Sequence, residues 1–408
     1  MRRSPWVLPT LILAGEAIFL LPFVVPRVFR GPLLDALSID HSSLGRAFSV
    51  YGIVAMLSYA LGGPLADRFP PRTMMATALA TTALGGLVLA TWPGPQGLTL
   101  LYGAWGASTI LLFWAGLLRA TRAWGGEQAQ GRAYGLLDGG RGLVAAGVST
   151  LAVALFAWLG GDGPDTTAAF RGVVLAASAA TAATAVLVYV VVPADRVEGA
   201  PPWPLAHIGP LLRRPTLWLQ GAIVVCAYVG YKGTDALSVL ASDVLGYSEV
   251  QASTLGTLAF WLRPPAAVAA GFLADRIGGW KTVAGSFAVL LVADLGVAAG
   301  TVGPRAHLLL ASIVGTAVCV YALRGVYFAL LSEGGVPLHL TGTAVGVVSV
   351  VGYTPDVFFG PLMGWLLDRA PGAAGHRDLF LVLAGFAAAG LVASLAFGAA
   401  RSPRLPDR

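Results

Sequence analysis

Two similar polar loops, 208 positions apart between Asp67 and Asp275, constrain the fold of this chain most strongly. The first reads GGPLADRFPPR at residues 62–72, and the second reads GFLADRIGGWK at residues 271–281. An apolar run of about twenty residues precedes each loop and another follows it, which is the length that crosses a bilayer as a helix. The pattern predicts a duplicated membrane domain in which each loop joins two spanning helices.

The composition agrees with a chain that lies mostly in lipid. Of 408 residues, 56% are hydrophobic and only 11% are charged, and the mean hydropathy is +0.76, too apolar for a water-soluble globule of this size. The 53 glycines suit helices that pack closely in a membrane. The apolar runs are continuous rather than alternating, which argues against a β-barrel. We therefore expect an all-α integral membrane protein that has the lipid bilayer as its solvent.

The apolar periodicity predicts twelve transmembrane helices in two pseudo-symmetric sets of six. Their approximate bounds are about 6–29, 44–66, 73–93, 97–118, 133–159, 167–192, 216–241, 249–274, 281–301, 305–332, 341–367 and 378–400. We predict an N-terminal six-helix bundle at residues 1–192, a cytoplasmic linker rich in proline at residues 193–215, and a C-terminal six-helix bundle with a short cytoplasmic tail at residues 216–408.

The distribution of basic residues predicts the orientation. With the N-terminus in the cytoplasm, about 15 Lys or Arg residues fall in cytoplasmic segments and about 6 in external loops, as the positive-inside bias requires. We therefore expect a multi-pass protein of the cell inner membrane with both termini in the cytoplasm. The formal charge of +6 is explained by this topology, and no basic cluster with exposed aromatics points to nucleic acid. We expect a monomer.

The two loops resemble the motif between helices 2 and 3 of the major facilitator superfamily, Gly-x-x-x-Asp-Arg followed by a basic residue. The positions that match are Gly63, Asp67, Arg68, Arg72, Gly271, Asp275, Arg276 and Lys281. The resemblance implies a secondary transporter rather than an enzyme, with two six-helix bundles and loops that stabilise closure of the cytoplasmic side. Short stretches around Tyr51 and Trp124 look loosely like the bacterial nitrate and organic-anion carriers.

Charged residues inside the predicted spans are the candidates for function, because each costs roughly 2.5–3.5 kcal/mol to insert. Proton-coupling candidates are Glu16, Asp235 and Asp356, and substrate-binding candidates are Arg263, Arg324, Lys232, Arg141, Tyr228, Tyr231 and Tyr321. The resemblance places most of them on helices that line or flank a central cavity. Asp294 is on a predicted outer helix, and we interpret it as structural.

Structural readings of these charges remain open. Asp138 with Arg141, and Lys232 with Asp235, are spaced three residues apart and could neutralise each other on one helix. Neither Arg263 nor Arg324 has an acid within one turn of its own helix, so each either pairs with an acid on another helix, such as Glu16 or Asp356, or binds an anionic substrate. We prefer the second reading, since a guanidinium keeps its charge and takes a carboxylate, phosphate or sulfonate in two hydrogen bonds.

The function predicted is secondary transport of a small solute, an organic anion, by alternating access, with H+ as the candidate coupling ion. A drug or metabolite efflux antiporter and a transporter-like solute sensor are the alternatives. No Walker loop accompanies the spans, which argues against ATP-driven transport. Cys226 and Cys319 both lie in apolar runs and are interpreted as reduced core residues, so we expect neither a metal site nor another cofactor.

Overall fold

The twelve predicted helices form at nearly the predicted places. The computed structural model describes residues 5–125, 130–163, 165–194, 208–299, 306–336 and 341–401, apart from the side chains of 60–68, 122, 125, 130–135, 208, 210, 306–310 and 341–343. Within this part the regular structure is helical, and ten helices are long and apolar enough to cross a membrane. The all-α membrane fold predicted from the sequence is confirmed.

We number the long helices α1 to α12. Their bounds are Val7–Val28, His41–Arg68, Pro71–Leu89, Pro95–Thr121, Gln130–Trp158, Thr166–Val191, Pro215–Leu245, Glu249–Ile277, Gly279–Ala298, Ala306–Val326, Thr341–Gly352 with Pro355–Arg369, and Ala373–Ala400. A short helix, Arg30–Leu37, follows α1 and was not predicted. Pro32 lies in its first turn, where the missing N–H breaks no helical hydrogen bond.

The contacts divide the chain into two compact units. The first unit contains Met1–Ala200, Asp235–Trp261 and Asp356–Asp368, and the second contains Pro201–Thr234, Leu262–Pro355 and Arg369–Arg408. The first unit thus combines α1 to α6 with one end each of α7, α8 and α11. The predicted bundle boundaries at residues 192 and 216 stay a prediction.

The three helices that pass from one unit to the other are irregular near the crossing. In α7 the α-helix gives way to a 3-10 turn at Thr234–Ala236, and α11 is interrupted between Gly352 and Pro355. Helix α8 contains Pro264 and Pro265, which remove two helical N–H donors and so two intrahelical hydrogen bonds. The regular helical hydrogen bonding of each helix is therefore interrupted near the point where the helix passes from one unit to the other.

Each unit has its own core. In the first unit the rings of Trp92 and Phe170 stack with centroids 5.7 Å apart, and Phe29 meets Phe156 at 5.1 Å. In the second unit Gly390 of α12 lies against the ring of Phe287 on α9, so that glycine lets the two helices approach closely. Both cores belong to the interior of helix bundles, where they hold the charged side chains described next.

Candidate functional site

Arg324 on α10 is the centre of a tyrosine-lined site in the second unit. Its guanidinium carbon lies 4.0 Å from the ring centroid of Tyr231 and 5.7 Å from that of Tyr228, distances typical of cation–π contacts. The side chain is half-buried, and its buried Nη1 atom has no hydrogen-bond partner among the residues that the structure describes. Among the described residues the groups that contact this guanidinium are phenol rings and include no carboxylate.

Four tyrosines from three helices frame Arg324. Tyr228 and Tyr231 lie one turn apart on α7 with ring centroids 5.6 Å apart, and Tyr231 lies 6.3 Å from Tyr321 of α10. Tyr353, at the break in α11, meets Tyr228 edge-on at 4.9 Å. The sequence reading missed Tyr353, whose only signal is an aromatic residue two positions before Pro355 in an apolar run. The site therefore combines one positive charge with several phenol hydroxyls.

Two further basic candidates lie in the same unit. Lys232 is buried, and its Nζ atom lies 6.0 Å from the centroid of Tyr228. Arg263 is half-buried on α8 immediately before Pro264. The structure thus brings Lys232 to the edge of the tyrosine-lined site.

Arg141 on α5 belongs to a different cluster, in the first unit. Its Nε atom lies 3.4 Å from Oε2 of Glu16 on α1, and its Nη1 atom lies 3.9 Å from Oδ1 of Asp138. The rings of Phe19 and Trp114 each lie 5.6 Å from the guanidinium carbon. Glu16 is therefore the partner of Arg141, so its charge is neutralised across two helices. The local pair of Asp138 and Arg141 that the spacing suggested is also present.

The other buried acids have different surroundings. Asp235 forms a buried ion pair with Arg27 near the end of α1, and Ser238 Oγ donates to the Arg27 carbonyl oxygen at 3.1 Å. The spacing of three residues predicts Lys232 as the local partner of Asp235, and the structure gives Asp235 a partner from another helix, Arg27. Asp356 begins the second part of α11, where its backbone lies against Gly52 of α2. Asp294 is buried on α9, and within the described part of the chain neither of its carboxylate oxygens has a hydrogen-bond partner.

The duplicated loops are described only in part. Gly63, Asp67 and Arg68 lie in the segment 60–68, whose side chains are outside the described part. In the first loop the guanidinium carbon of Arg72 lies 4.9 Å from the ring of Tyr189.

In the second loop Asp275, Arg276 and Lys281 are exposed, and Gly278 with φ of 99° makes the turn that follows Gly271 and α8. Glu333 accepts hydrogen bonds from Gly279 N at 2.6 Å and Trp280 N at 3.3 Å, which caps α9.

Charged side chains lie among membrane-length helices, which is the architecture of an integral membrane protein with a polar interior. Comparison with known proteins identifies its family. The sequence profile of the Major Facilitator Superfamily matches residues 11–355. The chain belongs to this superfamily and is a multi-pass membrane transporter rather than an enzyme.

Relatives in two bacteria are similar over most of their length. Inner membrane protein YqcE of Escherichia coli is 27% identical over 91% of this chain and 88% of that protein, and inner membrane protein YihN is 25% identical over 97% and 96%. The probable nitrate/nitrite transporter NarK2 of Mycobacterium tuberculosis is 26% identical over 91% and 84%. The loose resemblance to the nitrate carriers is thus confirmed.

Solved structures share the fold at low sequence identity. The nucleoside transporter NupG superposes with a TM-score of 0.72 at 15% identity, covering 97% of this chain and 98% of that one. A bacterial homologue of the human lysosomal transporter Spinster gives a TM-score of 0.73 at 16% identity, covering 98% of both chains. These likenesses show the fold alone.

Proposed function

We propose that the protein is a secondary active transporter of a small organic anion that works by alternating access. The observation that carries the proposal is the half-buried guanidinium of Arg324, which tyrosines frame. Its buried Nη1 atom has no hydrogen-bond partner among the described residues. A charge in an apolar span is costly unless something neutralises it, and the described contacts of Arg324 include no carboxylate. An anionic substrate would supply the missing charge through paired N–H···O bonds. The relative NarK2 is named as a probable nitrate/nitrite transporter, and these inorganic anions support the anionic character of the ligand.

Other candidates have supporting roles in this proposal. Tyr228, Tyr231 and Tyr321 shape the site, and Lys232 adds a second positive charge near Tyr228. Arg263 stays a substrate-binding candidate beside Arg324, as predicted from the sequence, and Arg141 is the weakest because Glu16 and Asp138 already neutralise it. The duplicated loops are proposed to stabilise closure of the cytoplasmic side.

The first experiment is a thermal-shift screen of the purified protein with carboxylates, phosphates, sulfonates and, for comparison, lipophilic cations, followed by uptake of each hit into proteoliposomes. We expect Arg324→Lys to bind the hit more weakly, since it keeps the charge but loses the planar fork, and Arg324→Ala to bind it more weakly still. Arg171→Ala is the matched control, because Arg171 also makes a cation–π contact, 5.2 Å from the Trp92 ring, in the other unit. Wild-type affinity in a folded Arg324→Ala variant contradicts the proposed site.

Stabilisation by lipophilic cations alone would favour drug efflux, and binding without concentrative uptake would favour a sensor.

Proton coupling is proposed through Glu16, with Asp235 and Asp356 as the other candidates. A proton on Glu16 would remove the negative charge that pairs with Arg141 and so weaken the contact between α1 and α5. Protonation and the arrangement of these two helices are therefore linked in the proposal. Glu16→Gln should abolish accumulation driven by a pH gradient while sparing exchange of substrate across the membrane. Proton-driven uptake that survives this change excludes Glu16 as the obligatory carrier.

We also propose that both termini face the cytoplasm of a cell whose inner membrane holds the protein. The bias of basic residues supports this orientation, and two relatives carry the name inner membrane protein. Reporter fusions at the C-terminus test it: a cytoplasmic reporter should be active and a periplasmic reporter inactive. The reverse pattern contradicts the orientation.

A further inference from the structure

Two aspartates at one end of the first unit each bind the beginning of a helix that is distant in sequence. Asp368, at the end of α11, accepts hydrogen bonds from His41 N at 3.0 Å and Ser42 N at 2.7 Å, at the start of α2. Asp162, after α5, accepts from Ser248 Oγ at 2.9 Å and Val250 N at 3.0 Å, at the start of α8. We call this end of the unit, where α5 and α11 finish and α2 and α8 begin, the distal end.

The two contacts are related by the internal duplication. The offset of 208 that separates Asp67 from Asp275 also carries His41 and Ser42 to Glu249 and Val250. The same offset carries Asp162 to within two residues of Asp368. Each half of the sequence therefore supplies one carboxylate and one helix N-terminus, and each carboxylate binds the N-terminus that the other half supplies.

Next to the Asp368 contact, the backbones of α2 and α11 pack directly against each other. A Cβ atom on Gly45 of α2 would collide with the carbonyl oxygen of Gly360 on α11, and one on Gly364 would meet the backbone of His41 and Ser42. Small residues at such crossings let two backbones touch. The glycines thus place Asp368 directly against the first backbone N–H groups of α2, which no carbonyl of the same helix can accept and whose partial positive charge favours a carboxylate.

We propose that Asp162 and Asp368 are a symmetry-related pair of latches that hold the distal end closed and release during transport. Alternating access requires α1 to α6 to part from the ends of α7, α8 and α11 at this end. A carboxylate at a helix N-terminus is suited to this because it is directional but weak enough to break in each cycle. Asp368 is half-buried and Asp162 is exposed, so water screens Asp162 more and its latch is the weaker.

Spin labels at Thr91→Cys and Thr254→Cys report the opening without any substrate. Both threonines are exposed in the first unit: Thr91 lies two residues after the end of α3, and Thr254 lies on α8. The background carries Cys226→Ala and Cys319→Ala. In double electron–electron resonance, Asp368→Asn should raise the ratio of long to short distances roughly two- to fivefold, and Asp162→Asn less. The double variant should approach the product of the two effects, since the sites are separate.

Asp165→Asn is the matched control, because Asp165 lies in the same loop as Asp162 and caps its own helix, accepting from Ala168 N at 2.9 Å. It should leave the distance distribution unchanged. If the folded Asp162→Ala/Asp368→Ala variant has the same distribution as the wild type, the two contacts are not latches.

A covalent tie tests release directly. The side-chain oxygens of Asp162 and Ser248 are 2.9 Å apart, so an Asp162→Cys/Ser248→Cys pair should be bridged by a short bifunctional methanethiosulfonate. The bridge should eliminate the long distances, and a reductant should restore them. Long distances that persist after complete bridging show that the contact stays closed while the distal end opens, which overturns the proposal. Failure of the pair to bridge contradicts the contact itself.

Discussion

Arg141 in the first unit and Arg324 in the second have similar aromatic surroundings but different charges around them. Two aromatic rings lie 5.6 Å from the Arg141 guanidinium carbon, and two lie 4.0 and 5.7 Å from that of Arg324. Arg141 also has Glu16 and Asp138 within 4 Å, whereas the described contacts of Arg324 include no acid. Burial and aromatic contact alone therefore do not identify a substrate-binding arginine. In the proposed assignment of Arg324, the distinguishing feature is a positive charge that no described contact balances.

The largest effect is expected when the Arg141 pair is broken on one side. Arg141→Ala leaves Glu16 buried without its counter-charge, which should lower the free energy of unfolding by about 3 kcal/mol. This value is near the lower limit for buried pairs, because Arg141 Nε and Glu16 Oε2 are 3.4 Å apart. The melting temperature in detergent measures it. Glu16→Gln added to Arg141→Ala should recover most of the loss, and a double variant as unstable as Arg141→Ala alone would contradict the pairing.

A second variant would make Arg324 resemble Arg141. Tyr228→Glu places a carboxylate beside the guanidinium, whose carbon is now 5.7 Å from the Tyr228 ring. The new ion pair should compete with the substrate, so binding of the anion identified by the screen should weaken roughly 10- to 100-fold while the fold persists. Isothermal titration measures the affinity, with Tyr228→Gln as the uncharged control. Equal affinities for the two variants would show that charge balance does not govern the site.

The smallest effect concerns the ring closest to Arg324. Tyr231→Leu removes the cation–π contact at 4.0 Å but leaves the positive charge, so anion binding should weaken only about two- to fivefold. Phe in place of Tyr231 keeps the ring and should retain most of the affinity if the ring face matters. A loss in Tyr231→Phe as large as in Tyr231→Leu would instead assign the role to the phenol hydroxyl.

Local contacts were accessible from sequence and long-range contacts were not. The twelve helices follow from runs of apolar residues, because hydrocarbon requires every backbone polar group to be bonded within its own helix. Asp138 and Arg141 could be paired by spacing alone, as one helical turn separates them.

The long-range partners depend on how helices pack. Asp235 lies against Arg27, 208 residues away, and no helical periodicity connects the two. Glu16 and Arg141 likewise meet only because α1 and α5 are neighbours, and Gly15 leaves room for the arginine stem. The roles assigned to Arg263, Arg324 and the duplicated loops stay predictions.

The irregular points in α7, α8 and α11 bear on the mechanics of the transporter. The regular hydrogen bonds of a continuous helix resist bending. In these three helices the regular pattern is interrupted near the places where they leave the first unit. Each end segment can therefore bend relative to the rest of its helix, which suits the proposed opening of the distal end. The backbone amides at these irregular points should exchange with solvent faster than those of the helical stretches on either side. The most flexible backbone of these three helices would then lie within the helices rather than at their ends.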